Sequence, residues 1–358
     1  MNFKIKVEDL KKALAEVKDT VGSEKVGNEG LRIFADAKGR VRLTTNDGSY
    51  ATDTWVDADV KSGGEIILMA KLFIQYFSRM CVKEASFQLN TNLNLVVKTK
   101  YGTQTFNRLD ADKFTMINED DPLTETDISG KAFKQMVNGV SFATVESKER
   151  PVMEGIHMKS TGKITQFIAT NGLTIATIKK KISIPKGSIT MGKKALVSVA
   201  RTVRDDEKVT YLRFDTAICG LRCGDTTHIF PLFSGIFPDP KPVLDKLDPQ
   251  SFAVVDRLEL ISLLERATPL CENFARMRID GSKVTVKGNN AFGSFNEFMF
   301  ASTEGDAVEI RFSIRHFIEI AKNIQHESVE IGIDPGRPIS IRPDSKLHQV
   351  CLLAAVDD

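Results

Sequence analysis

The sequence predicts an α+β protein of three similar tandem domains. Each domain is two strand–helix–strands repeats, with helices on one face of antiparallel sheets. Three observations carry this expectation. An apolar template, Φ-x-x-Φ-Φ-x-x-Φ, occurs six times. It reads Leu10-Ala13-Leu14-Val17, Phe73-Tyr76-Phe77-Met80, Phe133-Met136-Val137-Val140, Leu196-Val199-Ala200-Val203, Leu260-Leu263-Leu264-Ala267 and Phe317-Ile320-Ala321-Ile324, at offsets of 63, 60, 63, 64 and 57 residues. At 100° per residue each set of four falls on one narrow helix face. Each template also follows a β-like run, and each is followed by alternating segments with turn residues between them.

In chain order, the runs before the helices are Phe3–Ile5, Glu65–Leu68, Thr126–Ile128, Ser188–Met191, Phe252–Val255 and Val308–Phe312. The helices themselves are expected over 7–18, 70–80, 130–140, 192–204, 257–267 and 313–323. Alternation marks strands at Leu31–Phe34, Val41–Thr45, Ala85–Leu89, Leu95–Lys98 and Thr103–Asn107, and later at Ile164–Ala169, Val209–Phe214, Val284–Lys287, Ser294–Phe300 and Val329–Ile333. Asn46-Asp47-Gly48 and Asp280-Gly281-Ser282 read as hairpin turns. At 358 residues the chain exceeds the usual size of a single core. One repeat of about 60 residues cannot bury its own apolar face, so repeats must pair, and a pair makes a domain of ordinary size. Polar and proline-containing seams at Asn118–Pro122 and Lys246–Pro249 divide the chain into domains 1–122, 123–247 and 248–358.

Charge separates the helices from the rest of the chain. The formal net charge is only +2, but the six helix segments together carry +9, which leaves −7 elsewhere. In the fourth helix Lys193, Lys194, Arg201 and Arg204 lie opposite the apolar face, with no acid among them. Lys71, Lys131, Lys194 and Arg315 occupy one template position in four of the repeats; Glu8 and Leu258 stand there in the other two. Concentrating cations on repeated helices sets up a field that meets an anionic partner.

Catalytic and metal signatures do not emerge. Gly187–Lys194 approaches the phosphate loop G-x-x-x-x-G-K-[ST] but places Lys194 where the Mg²⁺-binding hydroxyl belongs. His157, His228, His316, His326 and His348 have no metal spacing, and Cys219 and Cys223 have no second pair. The expectation is a chain with no cofactor, no metal and no catalytic residue. The five scattered cysteines, Cys81, Cys219, Cys223, Cys271 and Cys351, suit a reducing compartment. With no apolar leader and no run of membrane-spanning length, the expected location is cytoplasmic, away from membranes.

Local motifs on this frame resemble one family. Ala169-Thr170-Asn171-Gly172 is similar to its A-T-D-G, and Leu232–Asp239 to L-x-D-G-x-[FY]-P-D. Leu109–Phe114 is similar to L-x-A-x-x-[FY], and Thr144–Glu154 to a stretch in which S-x-x-x-x-R-P-x-L is common. Across essentially its whole length the chain resembles the bacterial DNA polymerase III beta subunits, the sliding clamps, as a divergent member. The resemblance implies a non-catalytic processivity factor, a head-to-tail homodimeric ring around duplex DNA with helices lining the channel. DNA contact without sequence preference would fall to Lys71, Lys131, Lys134, Lys193, Lys194, Arg201, Arg204, Arg315 and Lys322, with Lys25, Lys148 and Arg150 in rim loops.

It also implies a cleft for short linear motifs of the polymerase III alpha subunit, the clamp loader and repair proteins. That cleft would use Thr170, Gly172, Leu173, Ile175, Pro238, Val243, Leu352 and Leu353. Phe106 and Leu270 would be dimer contacts. Asn171 replaces the family's usual Asp and Leu173-Thr174 a usual His-Arg, which implies a retuned cleft. Two further readings stay open at this point: a clamp-like decoy that captures such peptides without encircling DNA, and a nucleic-acid-processing enzyme on a repeat scaffold.

Overall fold

The computed structural model describes residues 1–23, 28–110, 114, 121–344 and 349–356. Seven α-helices occur among them: α1 Val7–Val17, α2 Ala70–Ser78, α3 Gly130–Asn138, α4 Lys193–Thr202, α5 Lys241–Leu244, α6 Arg257–Ala267 and α7 Ile314–Asn323. Six are the expected repeat helices; α5 is a single turn that the template did not reveal. Every template residue is buried except Tyr76 and Met80, which are half-buried. Local capping contributes little. Lys6, Met69 and Ser313 precede their helices without a side-chain cap, whereas Asp256 accepts a hydrogen bond from the Glu259 amide (2.8 Å) at the start of α6. The helices are held by burial of one face, as expected for segments of nine to eleven residues.

The helices end sooner than expected, which corrects the charge count. Lys18, Arg79 and Arg204 lie beyond the last turns, so the six repeat helices carry +6 and not +9. The cause is visible at Val140, Val203 and Ile324. Each is the fourth residue of its template and lies just past its helix, yet stays in the apolar interior. The apolar pattern continues while the backbone has already turned away.

The chain divides into two compact units, Met1–Gly130 with Arg201–Leu232, and Lys131–Ala200 with Phe233–Asp358. The first holds a five-stranded sheet in the order Asp59–Ser62, Asn2–Lys6, Glu84–Leu89, Leu95–Thr99, Gly102–Phe106. Phe3, Phe73, Phe77 and Phe87 fill its core, with Phe3 stacked on Phe87 at 4.6 Å and Phe73 4.7 Å from Phe77. The first unit's other sheet has eight strands. Its two halves join where Ala51–Asp57 pairs antiparallel with Thr226–Pro231, Thr54 opposite Thr226. Polar side chains at this join are buried and satisfied. The Thr54 and Thr226 hydroxyls lie 2.8 Å apart, and His228 Nδ1 meets Tyr50 Oη at 2.8 Å and Thr52 Oγ1 at 3.1 Å. Burial pushes the His228 imidazole down to about 4.

The second unit repeats this plan. Its nine-stranded sheet joins where Thr174–Lys180 pairs with Gln349–Leu353. Both strands sit 123 residues after their counterparts in the first unit, so the repeat reproduces the join itself. Its four-stranded sheet runs Gly293–Phe300, Lys283–Asn290, Phe274–Asp280, Val308–Ser313. Ala355 bridges to Phe312 and the Val356 amide donates to Arg311 O (3.0 Å), so the tail covers that edge and Gly293–Phe300 is the open one. Gly130 opens α3 because no side chain fits: a Cβ there would lie 2.1 Å from Arg204 O.

Burial pushes the Cys351 thiol up to about 12, and burial followed by Glu207 does the same for Cys223. Cys219 and Cys223 lie four residues apart on one strand, about 13 Å at strand rise, too far to share a metal ion.

Candidate nucleic-acid interface and partner cleft

Lys71, Lys131, Lys194 and Arg315 are each the second residue of their helix, and each is exposed. The first turns of α2, α3, α4 and α7 contain no acid. A helix start carries partial positive charge from its unsatisfied amides, so a cation there is unfavourable by about 0.3–1 kcal/mol. The other two helices follow the favourable rule, with Glu8 and Asp9 opening α1 and Glu259 opening α6. Four helices therefore accept a local cost at one repeated position. An anion drawn to these starts would meet both the side-chain charge and the helix ends.

The remaining basic residues divide. Arg201 is ion-paired to Asp19, Arg204 to Glu207 (2.8 Å) and Asp206 (3.6 Å), Lys322 to Glu265 (2.7 Å) and Arg315 to Glu319 (3.7 Å). The fourth helix itself contains no acid, but the fold brings Asp19 to Arg201 from 182 residues away. Lys134 and Lys193 are half-buried, whereas Lys148 and Arg150 are exposed in the loop before Pro151. Lys25 lies outside the described residues.

The cleft residues begin at a turn. Thr170 ends one strand and Thr174 begins the next. Asn171 Oδ1 accepts from the Leu173 and Thr174 amides (3.0 and 2.7 Å), while Thr170 Oγ1 donates to Thr174 O (2.8 Å). Gly172 takes φ +90°, which a side chain would resist. This lattice presents Leu173, 54 % exposed, and leaves its carbonyl to accept from the Ala354 amide (2.8 Å). An Asn fills the family's Asp position without loss of the turn, because the amide oxygen supplies both bonds.

Strand register then separates two residues expected together. Ile175 faces Leu352 and Thr174 faces Leu353, so the leucines point to opposite sheet faces. Leu352 shares the Ile175 side; Leu353 is on the other. Both are buried, and Ile175 is half-buried. Pro238 and Val243 are half-buried, Val243 within α5. Phe237 between them and the turn at Gly235 anchors this segment by stacking on His157 at 4.7 Å, and neighbouring Ile236 is 95 % exposed. Replacing Leu173 by Lys should weaken a leucine- or phenylalanine-anchored peptide about tenfold with an unchanged melting temperature; equal affinity in calorimetry would remove Leu173 from the cleft.

Phe106 ends the open edge strand of the five-stranded sheet, half-buried against Phe73 (5.1 Å) and Tyr76 (5.4 Å). Leu270 closes the 3₁₀ turn after α6, also half-buried. Among the described residues no cluster of three His, Cys, Asp or Glu could hold a metal ion, and no helix is long and apolar enough to cross a membrane. The exposed aromatic residues of Gly293–Phe300 were missed in the sequence. An aromatic at 298 and again at 300, opposite buried Phe295 and Met299, was the available signal.

The repeated helices over antiparallel sheets, with cations at four helix starts, define a clamp fold. Residues 127–239 match the family described as DNA polymerase III beta subunit, central domain. The chain is 25% identical to the beta sliding clamp of Chlamydia muridarum, covering 85% of this chain and 84% of that one. It is 24% identical to the beta sliding clamp of Synechocystis sp., with 97% of each covered. Among solved structures, the DNA polymerase III subunit beta of Pseudomonas aeruginosa superposes with a TM-score of 0.92 at 20% identity over the whole of both chains. The DNA polymerase sliding clamp of Bacillus subtilis gives 0.93 at 19%, covering 100% of this chain and 99% of that one. The chain is thus similar over nearly its whole length to bacterial beta sliding clamps, and residues 127–239 are similar to the DNA polymerase III beta subunit central domain.

Proposed function

We propose that the chain is a DNA sliding clamp, a non-catalytic processivity factor. Two copies joined head to tail would encircle duplex DNA and hold a replicative polymerase on it. The observation that carries this reading is the cation at the second position of four repeat helices, kept against the helix dipole. Phosphate contacts supply affinity without reading sequence, which suits a protein that must slide. In this reading the domains are 1–122, 123–247 and 248–358, each a pair of repeats, and Phe106 of one copy meets Leu270 of the next. The Leu173 turn would receive short motifs of the polymerase III alpha subunit, the loader and repair proteins, and the protein would work in the cytoplasm on DNA.

Retention on DNA tests the topology. After loading by a cognate ATP-driven loader, the chain should stay on nicked circular duplex through gel filtration in high salt, and run off once the circle is cut. Sedimentation should give a species near twice 39.7 kDa. A chain that remains at 39.7 kDa and is never retained, yet binds motif peptides, would replace the clamp by the decoy.

A further inference from the structure

Resting on the peptide-cleft reading, we propose that partners seated at the Leu173 turn carry an acidic stretch beside their apolar anchor, and that lysines at the far end of the same sheet hold it. The charge pattern is the first support. Residues 155–204 contain ten lysines and arginines and no acid. Four strands of the second unit fall inside this stretch: Gly155–Ser160, Thr165–Thr170, Thr174–Lys180 and Gly187–Gly192. They pair antiparallel, so the 161–164 turn and the 181–186 loop share one end of the strands and the Leu173 turn lies at the other. Lys159, Lys163, Lys179, Lys181 and Lys186 gather at the first end, all exposed, and none has an ion-pair partner among the described residues.

Register joins this end to the cleft. Lys159, Gln166 and Lys179 form one row across three strands. Strand alternation gives Lys179 the same face as Ile175, four residues and about 13 Å away, and Leu352 beside Ile175 shares it. Lys180 takes the opposite face, where its ammonium donates to Gln135 Oε1 of α3 (2.8 Å). The lysine row and α3 therefore lie on opposite sides of the sheet. Two acids border the row. Asp239 acts on His157, which is next to Lys159 on its face, and Asp344 lies just past the strand two over from that of Lys179. Counting both, the lysine end keeps a net +3.

The surroundings select the occupant. Within 155–192 the rings are His157, covered by Phe237 at 4.7 Å, and Phe167, which is buried, so unpaired bases would find nothing to stack on. A duplex at the helix starts would be on the other side of the sheet. Lysines without arginine act as point charges and ask no fixed geometry of the anion, which suits carboxylates on a flexible peptide. About four extended residues span the distance from the cleft to the row. In the proposed ring Phe106 and Leu270 belong to the first and third domains, so closure leaves this face of the second uncovered.

A fluorescent peptide with a Leu-Phe anchor, a four-residue Ser-Gly spacer and four glutamates, made in both chain directions, tests this against the same peptide with glutamines. In one direction the glutamate peptide should bind the full chain about tenfold more tightly at low salt, and the advantage should shrink as salt rises. Lys159→Glu with Lys179→Glu should abolish the advantage, leave the glutamine peptide and the melting temperature unchanged, and favour a lysine-flanked peptide instead. Leu173→Ser should weaken the glutamate and glutamine peptides alike. Equal binding of both peptides to the unaltered chain, with Leu173→Ser still weakening them, would overturn the acidic requirement and spare the cleft. No effect of Leu173→Ser on either peptide would remove the cleft and this inference together. If the lysine variant keeps the glutamate advantage, or loses affinity for a short duplex instead, the lysines do not serve an acidic peptide.

Discussion

Replacing Lys71, Lys131 and Lys194 by Ala together should lower affinity for a short linear duplex by 10²- to 10³-fold at about 0.1 M salt. Each lost phosphate contact removes about 0.9 from the slope of log affinity against log salt, roughly eightfold at that concentration. The triple variant should therefore show a slope shallower by nearly 3. The same substitutions should make the protein slightly harder to unfold. Each removes a cation from a helix start that holds no acid, and installs the best helix former. Binding and stability move in opposite directions only if the lysines are kept for an anionic partner. Titrations of duplex across a salt series, paired with urea unfolding, read both. An unchanged slope would end the assignment of these residues to DNA.

Acid should selectively weaken the first unit through His228. The ring is buried between Tyr50 and Thr52, and desolvation lowers it from 6.5 to about 4. Above pH 6.5 both folded and unfolded chains hold it neutral, and it contributes no pH dependence. Between 6.5 and 4 the unfolded chain takes up a proton that the fold refuses, so stability falls as pH falls, by about 1.4 kcal/mol per unit and about 3 kcal/mol in all. Below pH 4 the loss levels off. Glu16 acts with the opposite sign, since burial first and Glu207 next raise its carboxyl, and its contribution is lost as pH rises. The difference between the unaltered chain and His228→Gln is therefore the quantity to follow. Trp55, the only tryptophan, lies on the strand paired with that of His228, so its fluorescence reports on this unit. Equal acid slopes in the two proteins would show that His228 does not govern the effect.

Much of this architecture was readable because four apolar residues per helix recur at one spacing, and burial enforces that spacing. Leu260, Leu263, Leu264 and Ala267 fall within an α6 whose ends match the expected ones. Elsewhere burial outlasts the helix, as at Val140 and Val203, and periodicity alone overshoots the end. The Thr170–Thr174 turn was readable from its Asn-Gly pair. The separation of Leu352 from Leu353 follows from strand alternation and needed only the knowledge that 349–353 is a strand. The partners of Arg201 and Lys322 were not readable, because Asp19 and Glu265 reach them through the fold and share no local pattern with them. The outward aromatic pair Phe298 and Phe300 was hidden inside a segment that alternation had already explained as a strand.

The two sheet joins impose an order on synthesis. Thr54 must wait for Thr226, 172 residues later, and Thr177 for Val350, 173 residues later. At 5–20 residues per second, each earlier strand spends roughly 10–35 s on the ribosome with an unpaired edge. Pairings this distant in sequence also close slowly once both strands exist. The nascent chain therefore carries first one and then a second adhesive strand edge through most of its elongation. Slowing translation between the partners should raise aggregation, and a chaperone that shields strand edges should raise the folded yield.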